Sequence, residues 1–167
     1  LLLTLLPLSS LFAWPEDTMI SSVFKLKVYE RESIGWNYVF SQWGSAVMLD
    51  SRRIVTNAHV IMDSKWAKPT GYYELCRFQK WKRDPSCFTT AKLTSYDSIT
   101  DLALLELSSP ISSSQKLTFS DKKLSIGSST IVYGYPQIGG SNITRTEGKI
   151  WWLEWENYKF DGTIDHG

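Results

Sequence analysis

The sequence predicts an all-β fold, on three observations. Its apolar residues gather in short runs that alternate with polar ones and end at Gly, Pro, Asp or Ser. The runs recur at intervals of roughly ten residues, the spacing of strands and turns in barrels and sandwiches. No stretch longer than a turn or two carries a helical period. Aromatic residues make up 14% of the 167 residues and favour pleated surfaces, which strengthens the reading. With 43% hydrophobic and 21% charged residues, the chain has material for one domain with a core, or one and a piece of another, and is not disordered.

Residues 1–13 (LLLTLLPLSSLFA) are almost wholly apolar with small residues near their end. They are shorter than the roughly 20 residues a membrane-spanning helix needs. They are expected to be the remnant of a secretory signal peptide with Ala13 as its last residue, although an initiator Met and a basic start are missing. A buried first strand or helix is the alternative, which Pro7 and the Ser pair after it disfavour. The chain is therefore expected to be exported, to a periplasmic or extracellular location, with no stable membrane insertion.

The strands follow in order. Residues 23–29 alternate apolar and basic, the pattern of a half-buried strand. Residues 36–43 and 45–49 read as two strands divided by Gly44, and residues 54–56 as a brief one after the polar turn at 50–53. Residues 72–78 and 88–96 flank a loop holding Lys80, Lys82, Arg83 and Asp84-Pro85. Residues 102–107 are continuously apolar but for Glu106, as in a strand buried on both faces. A Ser/Pro-rich stretch then lacks all periodicity, and strands resume at 130–135, at 143–155 (a pair or one bent strand) and at 158–164. The expected organisation is a signal remnant over 1–13, a first barrel over 14–107, a linker over 108–118, and a curtailed second half over 119–167.

The net charge of +1, without a long single-sign run, gives no support for a nucleic-acid partner. The basic group at 80–83 reads as a solvated loop. Cys76 and Cys87 form a possible disulfide, which an oxidising compartment permits, with a pair of unbonded thiols as the alternative. Two Cys without a nearby His cannot make a four-ligand zinc site, and no metal or cofactor is expected.

Only two histidines occur, His59 and His166. His59 lies directly after a strand, and Asp101 opens the apolar run at 102–107. A hydroxyl nucleophile needs an imidazole to take its proton at neutral pH, and the imidazole needs a carboxylate on its other nitrogen. His59 and Asp101 are the residue types for that pair, although each alone is as readily a structural or turn residue.

Their contexts carry a resemblance. GSAVMLDSRRIVTNAHVI (44–61) resembles the stretch around the catalytic His of trypsin-like serine proteases, especially the bacterial HtrA-like branch. DSITDLALLEL (97–107) resembles the family's catalytic-Asp segment, and VYGYP (132–136) with TRTEGKI (144–150) the opening of its second barrel. The resemblance implies a chymotrypsin-like double β-barrel with the second barrel incomplete, and an active site between the barrels. It implies a serine endopeptidase acting on protein or peptide substrates, with His59 as general base and Asp101 as its orienting partner. It gives Asp97 no catalytic role.

The chain departs from the family in containing no Ser-Gly dipeptide, so the family's nucleophile motif is absent. Ser45 follows a glycine but belongs to the strand before His59, where small residues serve packing. The ending TIDHG resembles the approach to the nucleophile, which implies a fragment stopping just before it and assigns Gly167 as an oxyanion-hole donor. As given, such a chain is expected to be inactive. A non-catalytic binding module on the same fold, and a protease with a Cys nucleophile downstream, remain the alternatives. His166 reads as a packing or exposed residue without chemistry. Asn142-Ile143-Thr144 is a glycosylation acceptor in form, and Trp151, Trp152, Trp155 and Tyr158 read as barrel packing more than as a ligand surface.

Overall fold

The computed structural model describes residues 16–32, 36–63, 65, 68–112, 117, 125–137, 141–153 and 158–165; for Asp17, 152, 153 and 158–165 only the backbone is described. The signal expectation at 1–13 and the assignments to Trp155, His166 and Gly167 lie outside the described residues.

Six strands close into an antiparallel barrel: β1 (Val23–Arg31), β2 (Tyr38–Met48), β3 (Arg53–Thr56), β4 (Tyr72–Arg77), β5 (Ser86–Asp97) and β6 (Leu102–Leu107). Their order around the barrel is β1-β2-β3-β6-β5-β4, with β4 returning to pair with β1. Three more strands, β7 (Ser129–Gly134), β8 (Thr144–Leu153) and β9 (Tyr158–Asp165), form a second antiparallel sheet in that order. The fold is thus all-β with a closed barrel and a second partial sheet, as in the chymotrypsin-like double barrel.

Alternation fills the barrel. Phe24, Leu26 and Val28 of β1 point inward and meet Met48, Ile54, Tyr73, Leu75, Leu105 and Leu107 in one cluster. Residues 102–107 are not buried on both faces: Leu102 and Glu106 are exposed while Ala103, Leu105 and Leu107 are buried, since a barrel strand has only one inner face. Lys25, on the outer face of β1, is buried because the second sheet covers it. Within the stretch expected to link the two halves, Ile111 is buried in the barrel core and its N–H bonds the Ser51 carbonyl at 2.8 Å.

Two short helices escape the periodicity reading. α1 (Glu16–Ser22) and α2 (Ala58–Ile61) are too short to repeat a helical pattern. Gly44 does not divide one strand from the next; β2 runs straight through it. A Cβ there would come within 2.6 Å of both γ-carbons of Val60, so glycine is needed for α2 to lie against β2. Within the 143–155 stretch the described residues form one strand, β8 (Thr144–Leu153), with a register shift between Ile150 and Trp152 against β9.

Cys76 and Cys87, facing partners on β4 and β5, are joined by a disulfide with an S–S distance of 2.00 Å. Of the Asn-Ile-Thr acceptor, Asn142 is half-buried with its Oδ1 away from solvent, and Thr144 is buried. Trp151 is half-exposed, unlike the barrel packing expected of it, since it lies on the outer face of the described residues of β8.

Gly44→Ala is expected to destabilise the fold by about 1–3 kcal/mol, the cost of overpacking a filled site. Urea unfolding measures this, and Val60→Ala in the same chain should recover some of the loss. An alanine variant as stable as the parent would contradict the close approach of α2 to β2.

Candidate active site

The site begins with a helix too short to stand alone. One turn of helix fixes several residues for very few internal hydrogen bonds, so α2 must be held by its surroundings. At its N-terminal end, the Asp101 carbonyl accepts the Ala58 N–H at 3.1 Å and Asp101 Oδ1 accepts the His59 N–H at 2.9 Å. At the other end, the Gln42 side-chain amide donates to the carbonyls of Val60 (3.0 Å) and Met62 (3.1 Å). The strand β2 thus ties down the end of α2 that Asp101 does not.

The same carboxylate meets the ring that α2 carries. His59 Nδ1 lies 2.7 Å from Asp101 Oδ2, the short distance of a charge-assisted hydrogen bond. Asn57 Nδ2 donates to Asp101 Oδ2 at 3.1 Å and to its carbonyl at 3.2 Å. Burial acts to push the Asp101 carboxyl up. The backbone N–H and ring of His59, with the Asn57 amide, outweigh that and hold it below its ordinary value.

Asp101 reaches this position from a tight turn. Asp97 Oδ1 accepts the Ile99 N–H at 2.9 Å and Asp97 Oδ2 the Thr100 hydroxyl at 2.8 Å. These bonds keep the Asp97 carboxyl below its usual range. Asp101 itself has φ +54°, the only positive value at a non-glycine among the described residues. Asp tolerates this left-handed region better than most residues, and β6 starts immediately after it.

The second sheet is clasped to the barrel beside His59. Ser45 Oγ accepts the Tyr135 N–H at 2.8 Å, so its small side chain serves the junction between sheets rather than packing within the barrel. Gln137 donates to the Trp43 carbonyl at 3.3 Å, and the Tyr135 hydroxyl accepts the Phe78 N–H at 3.2 Å. Burial pushes the Tyr135 phenol up to about 12, so it stays neutral. Two hollows flank the imidazole. One, of about 430 Å³, is lined by Ala58, His59, Met62, Ser98 and Asp101. The other, of about 320 Å³, runs from Gln42 and Trp43 past His59 to Tyr135 and Gln137.

A barrel that brings a His and an Asp from separate segments together in an open cleft is the arrangement the motifs implied. The family model of the trypsin-like peptidase domain matches residues 44–166, well over half of the chain. The chain belongs to the trypsin-like peptidase domain family. A comparison with curated proteins finds no match.

Of the residues singled out in this peptidase-domain sequence, His59 and Asp101 meet directly, and Cys76 meets Cys87 between β4 and β5. Among the described residues no group of three or more His, Cys, Asp or Glu side chains is placed to hold a metal, and no helix is long and apolar enough to cross a membrane. Sequence reasoning missed Asn57 and Gln42, and it gave Asp97 no role in the site. An Asn directly before the Ala-His pair, at a strand end, was the signal for the first. Nothing local marks Gln42, since its partners lie 18 and 20 residues away.

A carboxylate held low in the folded state adds stability that is complete above its unfolded value, about 3.9, and is lost as pH falls through the folded one. Asp101→Asn should therefore flatten the acid limb of the stability curve. Thermal melts from neutral pH downwards test this: the parent should lose stability more steeply than the variant below about pH 4. Parallel curves would count against it.

Proposed function

We propose that the chain is the His- and Asp-bearing portion of a serine endopeptidase domain that cleaves peptide bonds in extracytoplasmic proteins. The observation that carries this reading is the 2.7 Å contact of His59 Nδ1 with Asp101 Oδ2, on a carboxylate whose other oxygen binds the His59 backbone. Asp101 holds the imidazole in one tautomer and stabilises the imidazolium, so the proton is exchanged at Nε2. His59 takes the proton of a serine hydroxyl as it attacks the scissile carbonyl, forming an acyl-enzyme, and delivers it to the leaving amine. Water then repeats the sequence in reverse and frees the acid.

The 167 residues hold no Ser-Gly pair, so this reading calls for a serine in the family's motif that they do not show, and Gly167 is assigned to the oxyanion hole on the resemblance alone. The resemblance of GSAVMLDSRRIVTNAHVI (44–61) supports the HtrA-like branch. Export is supported by the apolar residues 1–13 and by the Cys76–Cys87 bond, which persists in an oxidising compartment. Peptide substrates are the only partners this chemistry requires, and it uses no cofactor.

The test begins with the coding region. A frame that continues from Gly167 into a Ser-Gly-Gly motif supports the enzyme, and a stop codon there sinks it in favour of a binding module. The protein from the continued frame should react with a fluorophosphonate at that serine. Asp101→Asn should slow peptide hydrolysis about 10⁴-fold, the size seen when a triad loses its carboxylate. Hydrolysis unaffected by His59→Ala or Asp101→Asn would contradict the assignment.

A further inference from the structure

We propose that Asn57 is a positioning residue for the His59–Asp101 pair, an inference that rests on the proposed protease role of that pair. Asn57 occupies the N-cap position of α2 with an extended backbone (φ −76°, ψ 144°). Asparagine is among the best N-cap residues because its side-chain oxygen accepts an N–H two or three positions ahead. Here it makes no such bond. Its amide turns outward instead, and Nδ2 reaches two acceptors on one residue, the carbonyl and Oδ2 of Asp101, 44 positions along the chain.

The capping task has passed to Asp101. Its carbonyl takes the Ala58 N–H and its Oδ1 takes the His59 N–H, the groups at the start of α2 that need acceptors. Asn57 and Asp101 have in effect exchanged roles, and the exchange locks the turn before β6 to the junction between β3 and α2.

The exchange has a geometric consequence. The terminal torsion of an aspartate is broad, so a single bond to Oδ1 does not fix the carboxylate plane. Oδ2 receives both the His59 ring and the Asn57 amide, and the amide defines the plane that meets Nδ1. The second amide bond goes to the carbonyl of a residue at φ +54°, and with the Ala58 N–H it holds that left-handed conformation. Without Nδ2 the carboxylate can turn and the backbone can relax, and both motions draw Oδ2 off the ring.

Asn57→Ser and Asn57→Asp separate positioning from helix capping, because both residues cap helices about as well as Asn. Neither supplies an amide to Asp101, and Asp adds a like charge beside it. The first readout is the low-field proton resonance of His59 Nδ1–H in this chain, assigned by its loss in Asp101→Asn. The resonance should weaken in Asn57→Ser and vanish in Asn57→Asp while the fold persists. In the protein joined to its nucleophile, Asn57→Ser should lower kcat about ten- to a hundredfold with little change in KM, as small misplacements of catalytic groups do.

A resonance and kcat unchanged in Asn57→Ser would overturn the proposal. So would an Asn57→Ser chain that fails to fold, since the residue would then be structural. If the wild-type protein lacks turnover but its resonance still depends on Asn57, the protease reading fails and the positioning role stands.

Discussion

The carboxylate of Asp101 joins segments that the chain separates by 42 residues, and α2 keeps its place because of it. One oxygen caps the start of the helix and the other orients the ring that the helix carries. Helix position and ring orientation are therefore one constraint. A shift of β6 that moved Asp101 would uncap α2 and release the imidazole together. The rest of the barrel serves this constraint by fixing where β6 begins relative to where β3 ends, through the register Thr56↔Ala103.

Close approach of backbones makes the constraint possible. Gly44 lets α2 settle onto β2, where Gln42 from the same strand satisfies the carbonyls at the helix end. One strand thus supplies both the space and the final hydrogen bonds. Val60 and Ile61, next to His59, are buried, so the helix face opposite the site is anchored in the core. A single helical turn gains its stability from such packing and from borrowed caps, not from its own hydrogen bonds.

The site is open. The His59 and Asp101 side chains are 46% and 41% exposed, and water near them weakens any bare Coulomb attraction. Alignment in such a place comes from directional hydrogen bonds, which is why so many converge on one carboxylate. Beside it, the second sheet is clasped to the barrel by Ser45, Tyr135 and Gln137. Lys25 adds to the clasp, its ammonium 4.2 Å from the Trp43 ring centre and bonded to the Ser141 carbonyl. Burial pushes that lysine down, most strongly of its causes, with Lys27 acting in the same direction.

The all-β class, nearly every strand of the barrel, and the two residues that meet at its edge were legible in the order of amino acids alone. Alternation of apolar and polar residues is a local property, and the segments around His59 and Asp101 resemble known motifs. Contacts between distant segments settled the rest. The two short helices, the unbroken course of β2 through Gly44, and the burial of Lys25 are set by what packs against them. Asn57 is the clearest instance. Its place before α2 suits a helix cap, yet its amide serves Asp101, because folding brings a carboxylate and a carbonyl within reach of Nδ2 and hands the capping to them. A side chain's partner is chosen by proximity in space, and proximity between residues 57 and 101 exists only once the barrel has closed.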